Sequence, residues 1–217
     1  MIAGVFWDND GILVDTEGLY FQASKVTLAS RGIELTRERH LELSLGEGRS
    51  VFELARAAGY SEAEILELRA QRDRAYSALI GAGVAPIPGV SQALDALRRR
   101  VPLGLVTSCL PEHFWQIHTD RELVERFDLV WTPDRYQRHK PHPEPYLSAA
   151  AALGLDAKRC VAIEDSPRGI ASARAAGMFC IGIHSEFAGA GVDLSAANRV
   201  LDSVAQLLPV LAQLGLP

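Results

Sequence analysis

The chain has 217 residues, 48% of them hydrophobic and 23% charged, which suits one folded core with a substantial insertion, or two small domains, and excludes a disordered chain. The 22 Lys and Arg against 27 Asp and Glu leave a formal charge of −5, so neither a nucleic-acid partner nor an anionic membrane surface is expected. No apolar run approaches the roughly 20 residues that cross a bilayer. Cys109, Cys160 and Cys180 are odd in number and lack metal-ligand spacing, and no charged segment followed by a cleavable apolar one opens the chain; a reducing cytoplasm is the expected setting.

Residues 2–7 form an apolar run with β-branched and aromatic members, which predicts a buried strand ending abruptly at Asp8-Asn9-Asp10-Gly11. Carboxylates at i and i+2 of an extended segment project to the same side, so Asp8 and Asp10 can act on one cation or one phosphorus atom. Taken alone, the tetrapeptide is equally an ordinary turn with Asx hydrogen bonds. Residues 16–76 then change texture, with helical periodicity, many Glu and Arg and no convincing strand. Gly32 ends a first helix, Thr36 opens another, Gly46-Glu47-Gly48-Arg49-Ser50 interrupts, and Ser61-Glu62-Ala63-Glu64 has the capping-box form ahead of a long helix to about Leu79. Arg69, Arg72 and Arg74 on that helix read as a solvated face. Gly and Pro accumulate over 81–88, as in a linker that returns the chain to its first domain, and Gly81 and Gly83 are candidate hinges.

Beyond the linker, helix and strand alternate. A helix over 90–100 precedes the strand Leu103-Gly104-Leu105-Val106, which ends in Thr107-Ser108. After a further helix comes the strand Leu129-Val130-Trp131. A helix over 144–153 leads to Val161-Ala162-Ile163, ending in Glu164-Asp165-Ser166, and a helix over 168–176 leads to a strand over 179–183. This order predicts a parallel sheet covered on both faces, with its ligand at the carboxyl ends of the strands. Those ends carry Asp8, Asp10, Thr107, Ser108, Glu164 and Asp165, with Lys140 in a Pro-flanked loop. Carboxylates from two strand ends suit Mg²⁺ held through oxygen. With a dianionic phosphate, Asp8, Glu164 and Asp165 total about −5, and Mg²⁺ with Lys140 returns about +3. Thr107 and the Ser108 backbone N–H, at a strand-to-helix turn, are placed to donate to phosphate oxygens.

The segments FWDNDGILVDTE, LGLVTSC, HKPHPEPYLSAA and VAIEDSPRGIASARAAGM, in this order, resemble the four signatures of the haloacid dehalogenase superfamily in its phosphatase and phosphomutase branch. The resemblance spans nearly the whole chain. It implies an α/β fold: a Rossmann-like parallel-sheet core, residues 1–15 and 82–217, with an inserted α-helical cap over 16–81. It makes Asp8 the nucleophile that forms an aspartyl-phosphate and Asp10 the general acid and base, with a pKa raised by nearby like charge. Lys140 ties Asp8 to the phosphate. Asp165, Asp8 and the Asp10 main-chain oxygen ligate Mg²⁺, and Glu164 does so only if the backbone turns there, or else acts through water.

An Asp at position 10 favours phosphate esters over the dehalogenase and phosphonate branches. Asn9 and His139 depart from the usual apolar residue and Gly. Asn9 is expected to satisfy backbone groups, and His139 either packs or touches substrate. Arg49 is either a clamp for a second anionic group on the substrate or a solvated side chain near a helix start. The expected activity is Mg²⁺-dependent hydrolysis of a small phosphorylated metabolite, a sugar phosphate, by a monomer or weak homodimer. The alternatives are a β-phosphoglucomutase-type isomerase and a binding protein without turnover. A histidine in the first cap helix assists transfer in that mutase, and this chain has Tyr20 near the matching place.

Overall fold

The computed structural model describes residues 1–216. Six strands form one parallel sheet: β1 (Gly4–Trp7), β2 (Leu103–Val106), β3 (Leu129–Trp131), β4 (Cys160–Glu164), β5 (Phe179–Ile183) and β6 (Arg199–Leu201), in the spatial order β3-β2-β1-β4-β5-β6. The first strand is therefore central, with β2 on one side and β4 on the other. Chain order reverses direction there, and in doubly wound sheets the crevice at such a switch point receives the ligand. Strands β1, β2 and β4 are buried along their whole length, which explains why they read as unbroken apolar runs and not as alternating patterns.

Side chains alternate between two apolar clusters. Val5, Trp7, Leu103, Leu105, Val161 and Ile163 pack with α5 (Val90–Leu97), α6 (Pro111–Ile117) and α9 (Leu207–Gln213). Phe6, Val106, Ala162 and Cys180 pack with α7 (Glu144–Ala152) and α8 (Pro167–Ala175). Buried Ala149, Ala150 and Ala173 let α7 and α8 lie close to this second face. Strand β6 and helix α9, which no pattern in the sequence announced, complete one edge and one layer.

Between β1 and β2 the chain forms α1 (Glu17–Ala29), α2 (Arg37–His40) running into a π-helical turn at Leu41–Gly46, α3 (Glu53–Ala57) and α4 (Glu62–Ile80). The Ser61–Glu64 capping box is formed in full, satisfying two N–H groups at the start of α4. Leu28, Leu35, Leu43, Val51, Phe52, Ala55, Ile65 and Leu68 make an apolar cluster separate from the two beside the sheet. One expectation fails here: Arg72 of α4 is buried and is not part of a solvated face. The Arg72 guanidinium stacks 4.4 Å from the Tyr20 ring centroid and 5.4 Å from that of Phe52, donates to the Tyr20 hydroxyl, and pairs with Asp73 at 2.8 Å. Aromatic faces and a neighbouring carboxylate replace the water an arginine gives up.

Candidate active site

A cavity of about 490 Å³ opens where β1, β2 and β4 end. Asp8, Asp10, Ser108, Lys140 and Asp165 line it from below, and Arg49, Arg69, Arg72 and Asp73 line it from the helical insertion. Its size matches a site for a small metabolite.

Lys140 is the centre of the charge arrangement. Its ammonium donates to Asp8 Oδ1 at 2.9 Å, to Glu164 Oε1 at 2.6 Å and to the Val106 carbonyl at 2.9 Å, so all three donors are used. Burial disfavours the charged amine, but the carboxylates of Asp8 and Glu164 and their hydrogen bonds outweigh that penalty and raise its pKa. Glu164 is fully buried, and its Oε1 also accepts a 2.6 Å hydrogen bond from the hydroxyl of Tyr146, a residue of α7 that the sequence reading did not single out. Burial first, and then the charge of Asp8, raise the Glu164 pKa, while Lys140 and Tyr146 hold it down.

Asp10 sits beside this group. Burial, followed by the negative charge of Asp8, pushes its carboxyl up to about 6, against the hydrogen bond from the Thr16 side chain. The expected direction is therefore met, but desolvation outranks the like charge on which the sequence reading relied. Thr16, at the start of α1, donates to Asp10 Oδ1 and joins the insertion to the acid group.

Asp165 shares the pocket floor with Asp8. One oxygen from each of Asp8, Glu164 and Asp165 lies within 4.8 Å of the other two. The loop after β1 approaches so closely that a Cβ on Gly11, whose φ is +74°, would overlap the Asp165 carboxylate. Among the described residues no Lys, Arg or His pairs with Asp165, and burial together with Asp8 and Glu164 raises its pKa well above the carboxylate range. Buried carboxylates with too little positive charge suit a divalent cation with oxygen ligands. Asp8 and Asp165 fit that role directly. Glu164 has one oxygen committed to Lys140 and Tyr146, while Oε2 accepts only a long 3.5 Å hydrogen bond from the Ser166 hydroxyl.

The remaining sequence candidates fall into two groups. Ser108 and Arg49 are on the cavity wall. Arg49 is ion-paired with Glu47 at 2.8 Å and with Glu53. Thr107 and Glu164 lie behind the wall: Thr107 is fully buried, and its hydroxyl oxygen accepts from the Cys109 N–H at 2.9 Å. The Tyr136 hydroxyl donates to the Thr107 carbonyl at 2.7 Å and braces the turn that presents Ser108. Asn9 is fully buried, and its Oδ1 lies 2.7 Å from His118 Nε2, so it meets a side chain and not the backbone groups it was expected to satisfy. His139 is exposed, stacks edge-on to Tyr136, and is off the cavity wall.

Residues 5–183 match the family model described as haloacid dehalogenase-like hydrolase. Hexitol phosphatase B of Escherichia coli O157:H7 is 31% identical over 213 residues, covering 95% of this chain and 94% of that protein. Phosphoglycolate phosphatase of Shigella boydii serotype 4 is 28% identical, covering 100% and 94%. Among solved structures, CbbY of Rhodobacter sphaeroides superposes with a TM-score of 0.78 at 26% identity, covering 96% of this chain and 97% of that one. It is known in complex with phosphate and, as a mutant, with xylulose-(1,5)bisphosphate.

Proposed function

The chain belongs to the haloacid dehalogenase-like hydrolase family and is a phosphoric monoester hydrolase, and from that premise we propose that it hydrolyses a small sugar phosphate, with Mg²⁺, through an aspartyl-phosphate on Asp8. The observation that carries this reading is the pairing of two unlike carboxylates in one cavity. Asp8 is 2.9 Å from the Lys140 ammonium, and Asp10 is raised to about 6. A carboxylate held against an ammonium, beside a buried acid whose proton is retained more tightly than usual, is what a nucleophile and a general acid require.

Asp8 Oδ attacks phosphorus, and the bond to the ester oxygen breaks as Asp10 gives that oxygen its proton. Asp10, now ionised, takes a proton from a water that attacks the acyl phosphate, which frees phosphate and restores Asp8. Lys140 holds Asp8 in place and meets the charge of the phosphoryl oxygens, and the Ser108 N–H donates to the same oxygens. Glu164 and Tyr146 keep Lys140 in register. Mg²⁺ would be held by Asp8, Asp165 and the Asp10 main-chain oxygen, with Glu164 contributing through Oε2 or a water. Bound there, it supplies charge neutralisation that lets an anionic ester approach anionic side chains.

Residues 16–81 act as a cap that selects the substrate. Their apolar cluster is separate from the two beside the sheet, and they contribute Arg49, Arg69, Arg72 and Asp73 to the cavity. The relatives named hexitol phosphatase and phosphoglycolate phosphatase, and the CbbY mutant in complex with xylulose-(1,5)bisphosphate, support a small phosphorylated organic substrate. A panel of phosphorylated metabolites assayed for phosphate release with and without Mg²⁺ tests the proposal. Metal-dependent release is the expected result. Conversion of a hexose 1-phosphate to its 6-phosphate faster than phosphate is released would replace the hydrolase with the mutase. Binding of phosphosugars without any turnover would overturn both.

A further inference from the structure

Four arginines line the cavity, and they differ in what already neutralises them. Arg49 is paired with Glu47 and Glu53, and Arg72 with Asp73 and the Tyr20 hydroxyl. Arg69 and Arg168 have no carboxylate within 4.0 Å among the described residues, and of these Arg69 lies in the field of Glu62. Arg168, second residue of α8, therefore brings an unpaired guanidinium to the wall that Asp8 shares.

Its location is fixed by its contact with the insertion. The stem of Arg168 runs against Gly48, whose φ is +66°, so closely that a Cβ on Gly48 would overlap Arg168 Cδ and sit 3.3 Å from Cγ and 3.4 Å from Nε. Arg168 thus fills the volume a side chain at position 48 would need. Its charge also acts weakly on the Tyr136 phenol, which burial pushes up and which Lys140, Ser108 and, least, Arg168 pull back down. The guanidinium therefore stands at the seam between loop 46–50 of the insertion and the strand-end site. The transferring phosphoryl group already has Lys140 and the Ser108 N–H. A free guanidinium at the insertion's edge faces the rest of the molecule.

We propose that Arg168 determines specificity: at the seam between loop 46–50 and α8 it binds a second anionic group, a carboxylate or another phosphate, on the organic part of the substrate. This rests on the phosphomonoester reading above and goes beyond it by naming the substrate class. A planar guanidinium binds either group through paired N–H bonds. A substrate with a neutral remainder leaves it unused.

The test uses two matched pairs of esters. Sorbitol 6-phosphate and 6-phosphogluconate share a six-carbon skeleton and differ by a carboxylate, while fructose 6-phosphate and fructose 1,6-bisphosphate differ by a phosphate. The quantity read is the ratio of kcat/KM for the charged ester to that for its neutral partner, in wild type, Arg168→Gln and Arg168→Met. Because each ratio is taken within one sample, loss of folded fraction cancels. The variants should lower the ratio by about 10- to 100-fold in at least one pair, the size of one charge-assisted hydrogen bond, mainly through KM. The pair that responds identifies the anion. A ratio within threefold of wild type in both pairs overturns the proposal. If wild type releases phosphate from none of the four esters, the phosphatase reading fails separately, and the same ratios taken as dissociation constants by calorimetry judge Arg168 alone, with the same threshold.

Discussion

Replacing Tyr146 with Phe removes one buried oxygen and isolates the support behind Lys140. In the folded protein that hydroxyl donates to Glu164 Oε1 at 2.6 Å, and the ring is fully buried. A hydrogen bond to a charged group is worth about 1.5–3 kcal/mol. The larger loss of about 3–5 kcal/mol, seen when a buried charge loses its only partner, does not apply, because Lys140 still donates to the same oxygen at 2.6 Å. Tyr146→Phe should therefore lower stability by about 1.5–3 kcal/mol, or roughly 3–12 °C in Tm for a chain of this size. With Glu164 held on one side only, Lys140 shifts relative to Asp8, and kcat should fall about tenfold with KM little changed. Urea denaturation with steady-state kinetics measures both. A variant within 0.5 kcal/mol of wild type (about a twofold change in the folding constant) and with unchanged kcat would refute the claim that this hydroxyl tensions the lysine clamp.

Other expectations follow from the same geometry. Burial lowers His118 to about 4 from an ordinary 6.5, so the unfolded chain binds a proton between those values that the folded one refuses. Stability should then be complete above pH 6.5 and fall by up to about 3 kcal/mol as pH drops toward 4, and His118→Gln should flatten that part of a denaturation-against-pH curve. Gly169→Ala places a methyl on the Glu164 carboxylate and should cost about 1–3 kcal/mol or more, read by thermal melting; a neutral result would mean that α8 can move away from β4 without penalty. Chelation should abolish phosphate release, Mg²⁺ should restore it, and circular dichroism should stay unchanged throughout. Activity that survives chelation would show that Lys140 alone balances the acidic cluster.

Much of the scaffold was legible because its signals are local. Three buried strands of a parallel sheet are apolar along their length, and each stops at a polar residue where the chain leaves the core, so Asp8, Ser108 and Asp165 could be placed at strand ends before any coordinates. The parallel alternation and the helical texture of the insertion follow from the same periodicities. Strand β6 escaped notice because it is three residues long and exposes Arg199 and Val200 at the sheet edge, leaving no pattern to detect. Tyr146 was hidden for a different reason: on a helix its ring looks like core, and only packing against β4 gives its hydroxyl a carboxylate. Arg72 was misread because it lies among other charges on α4, while the aromatic faces that bury it come from α1 and from the residue before α3. The Asp10 shift was legible in direction but not in cause, since desolvation depends on segments distant in sequence.

The central claim is that the phosphoryl group passes to Asp8 and that Asp10 manages the protons of both steps. Asp10→Asn keeps the nucleophile but removes the base that activates water, so a substrate with a good leaving group, such as p-nitrophenyl phosphate, should load the enzyme faster than it unloads. Acid quenching of this variant with Mg²⁺ and that ester, followed by mass spectrometry of the peptide containing residues 8–10, is the direct measurement. The account predicts one phosphoryl group on Asp8, absent when Asp8→Asn is added. Release of phosphate with no adduct, or an adduct on another residue, would contradict it.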